Sequence, residues 1–226
     1  MALAGVAADP AGAALVYSVA AGWAARQVVR AWGSTPWQAD LATALGAAPV
    51  LAALAGLQAA VAALGVAVLV AVFAAAAPGG ARYVGWGGRI AALGICWLAI
   101  VPSVGAAAVV LVRSESMAAA VLLLLLVSAY EMGDFVVGSG ASNPIEGPLA
   151  GMATASLIGF PLALLLVDPF DVAGVSLLGF VAVACPLGQI LGSALLPAAG
   201  APAAALRRID TLIVAAPLWA AASLTL

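Results

Sequence analysis

Uncharged runs long enough to cross a lipid bilayer recur along the whole chain, and they restrict its fold more than any other feature. Of the 226 residues, 66% are hydrophobic and 7% are charged, whereas soluble domains carry about 25% charged residues. This composition leaves no room for a separate soluble domain. We therefore predict an all-α, polytopic transmembrane protein with about eight spans, forming a single integral membrane domain over residues 1–226.

The limits of the spans follow from the charged and turn-forming residues between the uncharged runs. The run at 41–77 is too long for one span of about 20 residues, so we divide it near Gly56. This division also fixes the orientation of every later span. The other predicted spans lie at about 11–29, between Arg89 and Arg113, and at about 117–132, 148–167, 172–195 and 209–226.

The arginines predict how the chain is oriented. When the N-terminus is placed outside, six of the seven arginines fall on the cytoplasmic side and only Arg113 falls outside, as the positive-inside bias requires. The same orientation brings the polar segment 131–147 and the charged segment 207–210 to one face. We expect a multi-pass protein of the cytoplasmic membrane, with both segments on the cytoplasmic face and able to form one site.

Composition argues against several classes of partner and cofactor. The net charge is −2, and the chain contains neither lysine nor histidine, so nucleic acid is not an expected partner. Cys96 and Cys185 lie inside predicted spans and are expected to be buried thiols. Zinc and haem sites are not expected without histidine, and a hard cation on carboxylates is the metal chemistry that stays open.

Four acids stand close to apolar runs in the second half of the chain. Glu131 and Asp134 are three residues apart and share a face if they are helical, and Glu146 lies in the first turn of the next helix, where the helix dipole favours a carboxylate. Asp210 begins the last apolar run. It needs a partner, because an ionised carboxylate next to the hydrocarbon layer has a high free energy unless another group binds it. A polar loop with a capped helix is one explanation. A site for Mg²⁺ and a nucleoside triphosphate is the other.

Four short motifs in this half of the chain resemble those of a known family. They are EMGDFVVG at 131–138, NPIEG at 143–147, GQILGS at 188–193 and RRIDTLIVAAP at 207–217. Their order and membrane context are similar to those of phosphatidate cytidylyltransferase, the CDP-diacylglycerol synthase family. Residues 114–226 form the cytidylyltransferase-like half. Residues 1–113 supply N-terminal spans, which are similar to those of the family only in their general membrane-spanning character.

The resemblance implies a reaction, a cofactor and a set of site residues. CTP and phosphatidate would react to give CDP-diacylglycerol and diphosphate, with Mg²⁺ or another divalent cation as the cofactor. The implied partners are CTP and a phosphatidate-like membrane lipid, and a homodimer is a possible assembly. The implied residues are the catalytic acids Asp210, Glu131 and Glu146, the metal ligands Asp210, Glu131 and Asp134, and the substrate-binding residues Arg207, Arg208, Asn143 and Ser193.

The sequence also departs from the family pattern. Gln189 and Gly192 stand where the family has acids, Asn143 replaces a lysine, and Arg207 replaces the first aspartate of a paired motif. An arginine at a metal-ligand position repels a cation. Two alternatives therefore stay open, a catalytically inactive family member that acts as a membrane scaffold or regulator, and a CTP-dependent polyprenol kinase-like enzyme.

Overall fold

The computed structural model describes residues 10–76, 117–166, 172–194, 196–198 and 200–223. Every regular element in these ranges is helical, which confirms the all-α prediction for this part of the chain. Short 3-10 turns lie at Ala53–Ala55 and Leu206–Arg208. The α-helices of these ranges are α1 (Pro10–Ala31), α2 (Pro36–Ala52), α3 (Leu57–Ala76), α4 (Met117–Gly138), α5 (Glu146–Leu166), α6 (Val172–Ala194) and α7 (Leu212–Ser223).

The described helices give the chain the character of a membrane protein. Within the described ranges, three segments are long and apolar enough to cross a bilayer, at residues 36–55, 57–74 and 121–138. These three segments do not show the predicted total of about eight spans. The fourth predicted span, between Arg89 and Arg113, lies outside the described residues, and so does Cys96.

The predicted division of the run at 41–77 is confirmed. Helix α2 ends at Ala52, a 3-10 turn follows, and α3 begins at Leu57. Gly56 adopts φ 120° between the two helices, a conformation that glycine reaches readily and other residues do not. The glycine therefore separates two segments, each of which is long enough to be a span of its own.

Two of the helix limits that differ from the predicted ones bear directly on the acids. Helix α4 runs on to Gly138 instead of ending near residue 132, so Glu131 and Asp134 lie in its final turns. Helix α7 begins at Leu212 instead of residue 209, which leaves Asp210 in the turn before the helix. The glycines at 138 and 140 explain the end of α4, because glycine costs about 1 kcal/mol per position inside a helix.

Helices that follow each other in the chain pack together, α1 on α2, α4 on α5 and α6 on α7, and α5 also packs on α6. Alanine is the commonest residue of the buried core, so the helices approach closely, as small residues allow in membrane proteins. Gly151 shows how close α4 and α5 are. A Cβ atom at this position would lie 2.8 Å from the carbonyl oxygen of Tyr130.

Candidate functional site

A cavity of about 750 Å³ lies where α4 ends, α5 begins, and α6 faces the turn before α7. The segment that joins α4 to α5 forms one wall, and the helical turn around residue 207 contributes to another. The polar residues that line it are Glu131, Asp134, Ser139, Ser142, Asn143, Gln189, Ser193, Arg207, Asp210 and Thr211. The structure therefore brings together the two polar segments that the sequence analysis singled out.

Glu131 and Asp134 both line the cavity, but they have different partners. Glu131 Oε1 accepts a hydrogen bond from the Thr211 hydroxyl at 2.8 Å. Asp134 Oδ2 accepts one from Gln189 Nε2 at 2.8 Å, and Gln189 Oε1 accepts one from the hydroxyl of buried Tyr130 at 2.9 Å. Glu131 is thus tied to the turn before α7, whereas Asp134 is tied to α6.

Asp210 is the most buried acid of the cavity, with 5% of its surface exposed. Its Oδ1 accepts a hydrogen bond from the backbone N–H of Thr211 at 2.9 Å. Two glycines of α6, Gly188 and Gly192, leave space for it, and a Cβ atom at position 192 would lie 2.6 Å from the Asp210 Cβ. Because these two positions have no side chains, the turn that carries Asp210 packs closely against α6.

Asp210 lies outside the segments long and apolar enough to cross a membrane, and its environment changes its acidity. Burial raises the pKa of Asp210 from 3.8 to about 6, because the carboxylate loses contact with water. The nearby charge of Glu131 raises the pKa further, while the hydrogen bond from Thr211 and the charge of Arg207 lower it. Asp210 therefore changes its charge close to neutral pH.

Arg207 lies at the rim of the cavity, beside Asp210. Its guanidinium donates a hydrogen bond to Ser193 Oγ at 2.7 Å and lies 3.9 Å from Asp210 Oδ2. The side chain is 35% exposed, so solvent weakens this ion pair. Arg207 and Ser193 therefore form a polar pair at the rim, and an arginine is a side chain that can bind phosphate oxygens.

Not every predicted site residue lines the cavity. Asn143 does, although its Oδ1 already accepts a hydrogen bond from the backbone N–H of Ile145 at 3.0 Å. Glu146 and Arg208 are exposed and are not among the residues that line the cavity. Glu146 lies in the first turn of α5, where the helix dipole alone favours a carboxylate.

The acids suit a cation that is shared with phosphate groups. Within the described residues, no group of three or more His, Cys, Asp or Glu side chains could hold a metal ion by itself. Asp134, one of the three predicted ligands, is bound to Gln189, whereas Glu131 and Asp210 both contact Thr211. Mg²⁺ is usually held by one or two carboxylates together with substrate phosphates and water, and Glu131 and Asp210 fit that arrangement.

Sequence reasoning missed three residues that organise these acids. Thr211 contacts Glu131 across 80 residues of chain, and Gln189 joins Tyr130 to Asp134 across separations of 59 and 55 residues. Thr211 could have been noticed as the polar residue directly after Asp210. In the sequence, Gln189 stands out only as a departure from the family pattern, and Tyr130 carries no signal beyond its place before Glu131.

Neither the protein-family models, nor the curated proteins, nor the solved structures compared with this chain give a match. The resemblance of the four motifs to phosphatidate cytidylyltransferase therefore stays a hypothesis. What the cavity does must be inferred from its own residues together with that resemblance.

Proposed function

We propose that this protein is a membrane CTP-dependent lipid nucleotidyltransferase resembling phosphatidate cytidylyltransferase. The observation that carries the proposal is the meeting of Glu131 and Asp210 at Thr211, in a cavity that Arg207 also lines. Two acids and an arginine around a polar space suit a nucleoside triphosphate and its cation. A lipid substrate suits a cavity at the ends of apolar helices.

Each cavity residue has a role in this proposal. Glu131 and Asp210 would hold Mg²⁺, which when bound neutralises charge on the phosphates. Arg207 and Ser193 would bind phosphate oxygens from the rim. Asp134 would act through its bond to Gln189, which keeps the Gln189 amide in one orientation. Exposed Arg208 lies beside this rim in sequence and would attract anionic substrates.

The reaction needs little covalent chemistry from the protein. An oxygen of the lipid phosphate attacks the α-phosphorus of CTP and forms a new P–O bond. The bond from the α-phosphorus to the oxygen bridging toward the β-phosphorus breaks, and diphosphate leaves with the electron pair. Both substrates carry negative charge, so the protein accelerates the step by holding them in line and by offsetting their repulsion.

The protein would act in the cytoplasmic membrane, with the cavity open to the cytoplasm. The positive-inside bias supports this orientation, because it brings the arginines at 207 and 208 to the cytoplasmic side. CTP is a charged, water-soluble substrate, and it would enter from that side. The lipid phosphate would reach the same cavity from the adjoining leaflet.

The proposal is tested by incubating the purified protein with labelled CTP, Mg²⁺ and phosphatidic acid and looking for CDP-lipid. We expect product from the natural sequence and none from Asp210→Asn. Asp40→Asn is the matched control, because Asp40 pairs with Arg26 on α1 and does not line the cavity. No product, together with no binding of CTP or Mg²⁺, would overturn the proposal. Full activity of Asp210→Asn would remove that residue from the site.

One observation favours a second candidate, a catalytically inactive relative that acts as a membrane scaffold or regulator. The Arg207 guanidinium lies 3.9 Å from Asp210 Oδ2, and its positive charge opposes a cation at that carboxylate. An inactive relative would be folded and would give no CDP-lipid at any Mg²⁺ concentration. The natural sequence distinguishes the two candidates, because an active enzyme forms CDP-lipid in the same assay, whereas Arg207→Asp, which removes the opposing charge, should increase cation binding in both cases.

A further inference from the structure

Thr211 is the residue whose hydroxyl and backbone N–H each bind an acid of the cavity. The hydroxyl donates to Glu131 Oε1 at 2.8 Å, and the N–H donates to Asp210 Oδ1 at 2.9 Å. Thr211 is 1% exposed, so water does not compete for either bond. Glu131 comes from α4 and Asp210 from the turn before α7. Because Asp210 is the residue directly before Thr211, the hydroxyl bond links Glu131 of α4 to the turn that carries Asp210.

This arrangement has a physical consequence for the two carboxylates. Like charges that lie near each other repel, and long acidic side chains turn apart unless hydrogen bonds or a cation hold them. Thr211 binds one oxygen of each carboxylate, and the second oxygen of Asp210 lies 3.9 Å from the Arg207 guanidinium at the rim of the cavity. A hydrogen-bond partner that orients a metal ligand typically changes metal affinity or activity by about 10–100-fold.

We propose that Thr211 is a positioning residue, which fixes the Glu131 and Asp210 carboxylates so that both reach one divalent cation carried by the nucleotide. This role rests on the proposed function and deepens it, because it names what sets the affinity of the cavity for the cation. The hydroxyl acts on Glu131 and the backbone N–H acts on Asp210. A side-chain substitution therefore releases Glu131 and keeps the hydrogen bond to Asp210.

Thr211→Val tests the role, because valine has the shape of threonine without the hydroxyl. We expect the Mg²⁺ concentration for half-maximal CDP-lipid formation to rise by about 10–100-fold. Thr211→Ser keeps a hydroxyl and should stay within about threefold of the natural protein on the same scale. Thr154→Val on α5 is the matched control, since its hydroxyl donates to Ala150 of its own helix and not to a cavity acid.

A second measurement keeps the test decisive if Thr211→Val does not fold. Binding of Mn²⁺ with CTP to Thr211→Ala, followed by electron paramagnetic resonance, should weaken by a similar factor. An unchanged metal dependence in a folded, active Thr211→Val or Thr211→Ala variant would overturn the positioning role and leave the proposed function standing. Equal losses in Thr211→Ser and Thr211→Val would also overturn it. Absence of CDP-lipid and of Mn²⁺–CTP binding in the natural protein would overturn both proposals.

Discussion

Replacement of Gly192 by alanine is expected to disable the site while leaving the helices intact. A Cβ atom at this position would lie 2.6 Å from the Asp210 Cβ, whereas ordinary contacts begin at 3.4 Å. Because the position of a Cβ atom is fixed by its own backbone, the turn that carries Asp210 would have to shift away from α6 by the difference, at least 0.8 Å. A displacement of about 1 Å at a reacting group can cost about 100-fold in rate, and we expect CDP-lipid formation to fall by that order.

The helix itself should not suffer from this substitution. Alanine is about 1 kcal/mol more favourable than glycine inside a helix, so α6 gains in local stability. The loss of activity would therefore report the displacement of Asp210 and not the melting of α6. Thermal unfolding of the purified Gly192→Ala protein, measured beside the CDP-lipid assay, separates these two effects.

Gly179→Ala provides a control on the same helix. A Cβ atom at position 179 meets nothing within 4 Å, so this variant carries the same chemical change without the contact. We expect it to keep the activity of the natural protein. If Gly192→Ala and Gly179→Ala retain equal activity, the turn around Asp210 tolerates the added methyl group, and the argument from close packing is refuted.

Three further results are expected. Burial raises the pKa of Asp210 to about 6, so this acid gains a proton as the pH falls below that value. The rate of CDP-lipid formation should then drop about tenfold per pH unit. A flat pH–rate profile down to pH 5 would contradict this. Because this pKa is raised, the ionised form of Asp210 destabilises the folded protein. The contribution of Asp210 to the free energy of unfolding is fully present below pH 3.8 and is lost as the pH rises through about 6. Asp210→Asn should therefore unfold a few degrees higher at pH 8, and the gain should disappear near pH 4. A cysteine placed at Ser139, in a protein with Cys96 and Cys185 replaced by alanine, should react with a membrane-impermeant thiol reagent only from the cytoplasmic side, and periplasmic labelling would reverse the proposed orientation.

The helical class and the break at Gly56 could be predicted from the sequence because both follow from local properties. Uncharged runs longer than a bilayer must satisfy their backbone groups internally, and a run too long for one span must be interrupted somewhere. Glycine is the residue that most readily takes the positive φ seen at the interruption. Neither inference needed a contact between distant parts of the chain.

The site was only partly predictable because its geometry depends on distant contacts. The two polar segments could be grouped by their shared membrane face, and the structure brings Glu131 and Asp210 to one cavity. The link through Thr211 joins residues 80 positions apart, and no local pattern encodes that pairing. Glu146 is grouped with the other acids by its place in a helix's first turn and by the NPIEG motif, yet it is exposed and does not line the cavity.

The glycines of α6 also determine how this cavity can be changed by protein engineering. Gly188 and Gly192 have no side chains to shorten, so substitutions at these two positions can only narrow the space around Asp210. Room for a bulkier substrate has to come from lining residues that carry a side chain, and Ser142 and Pro144 are exposed examples. Libraries that alter substrate choice should therefore be directed at the segment between α4 and α5 and should leave the α6 glycines unchanged.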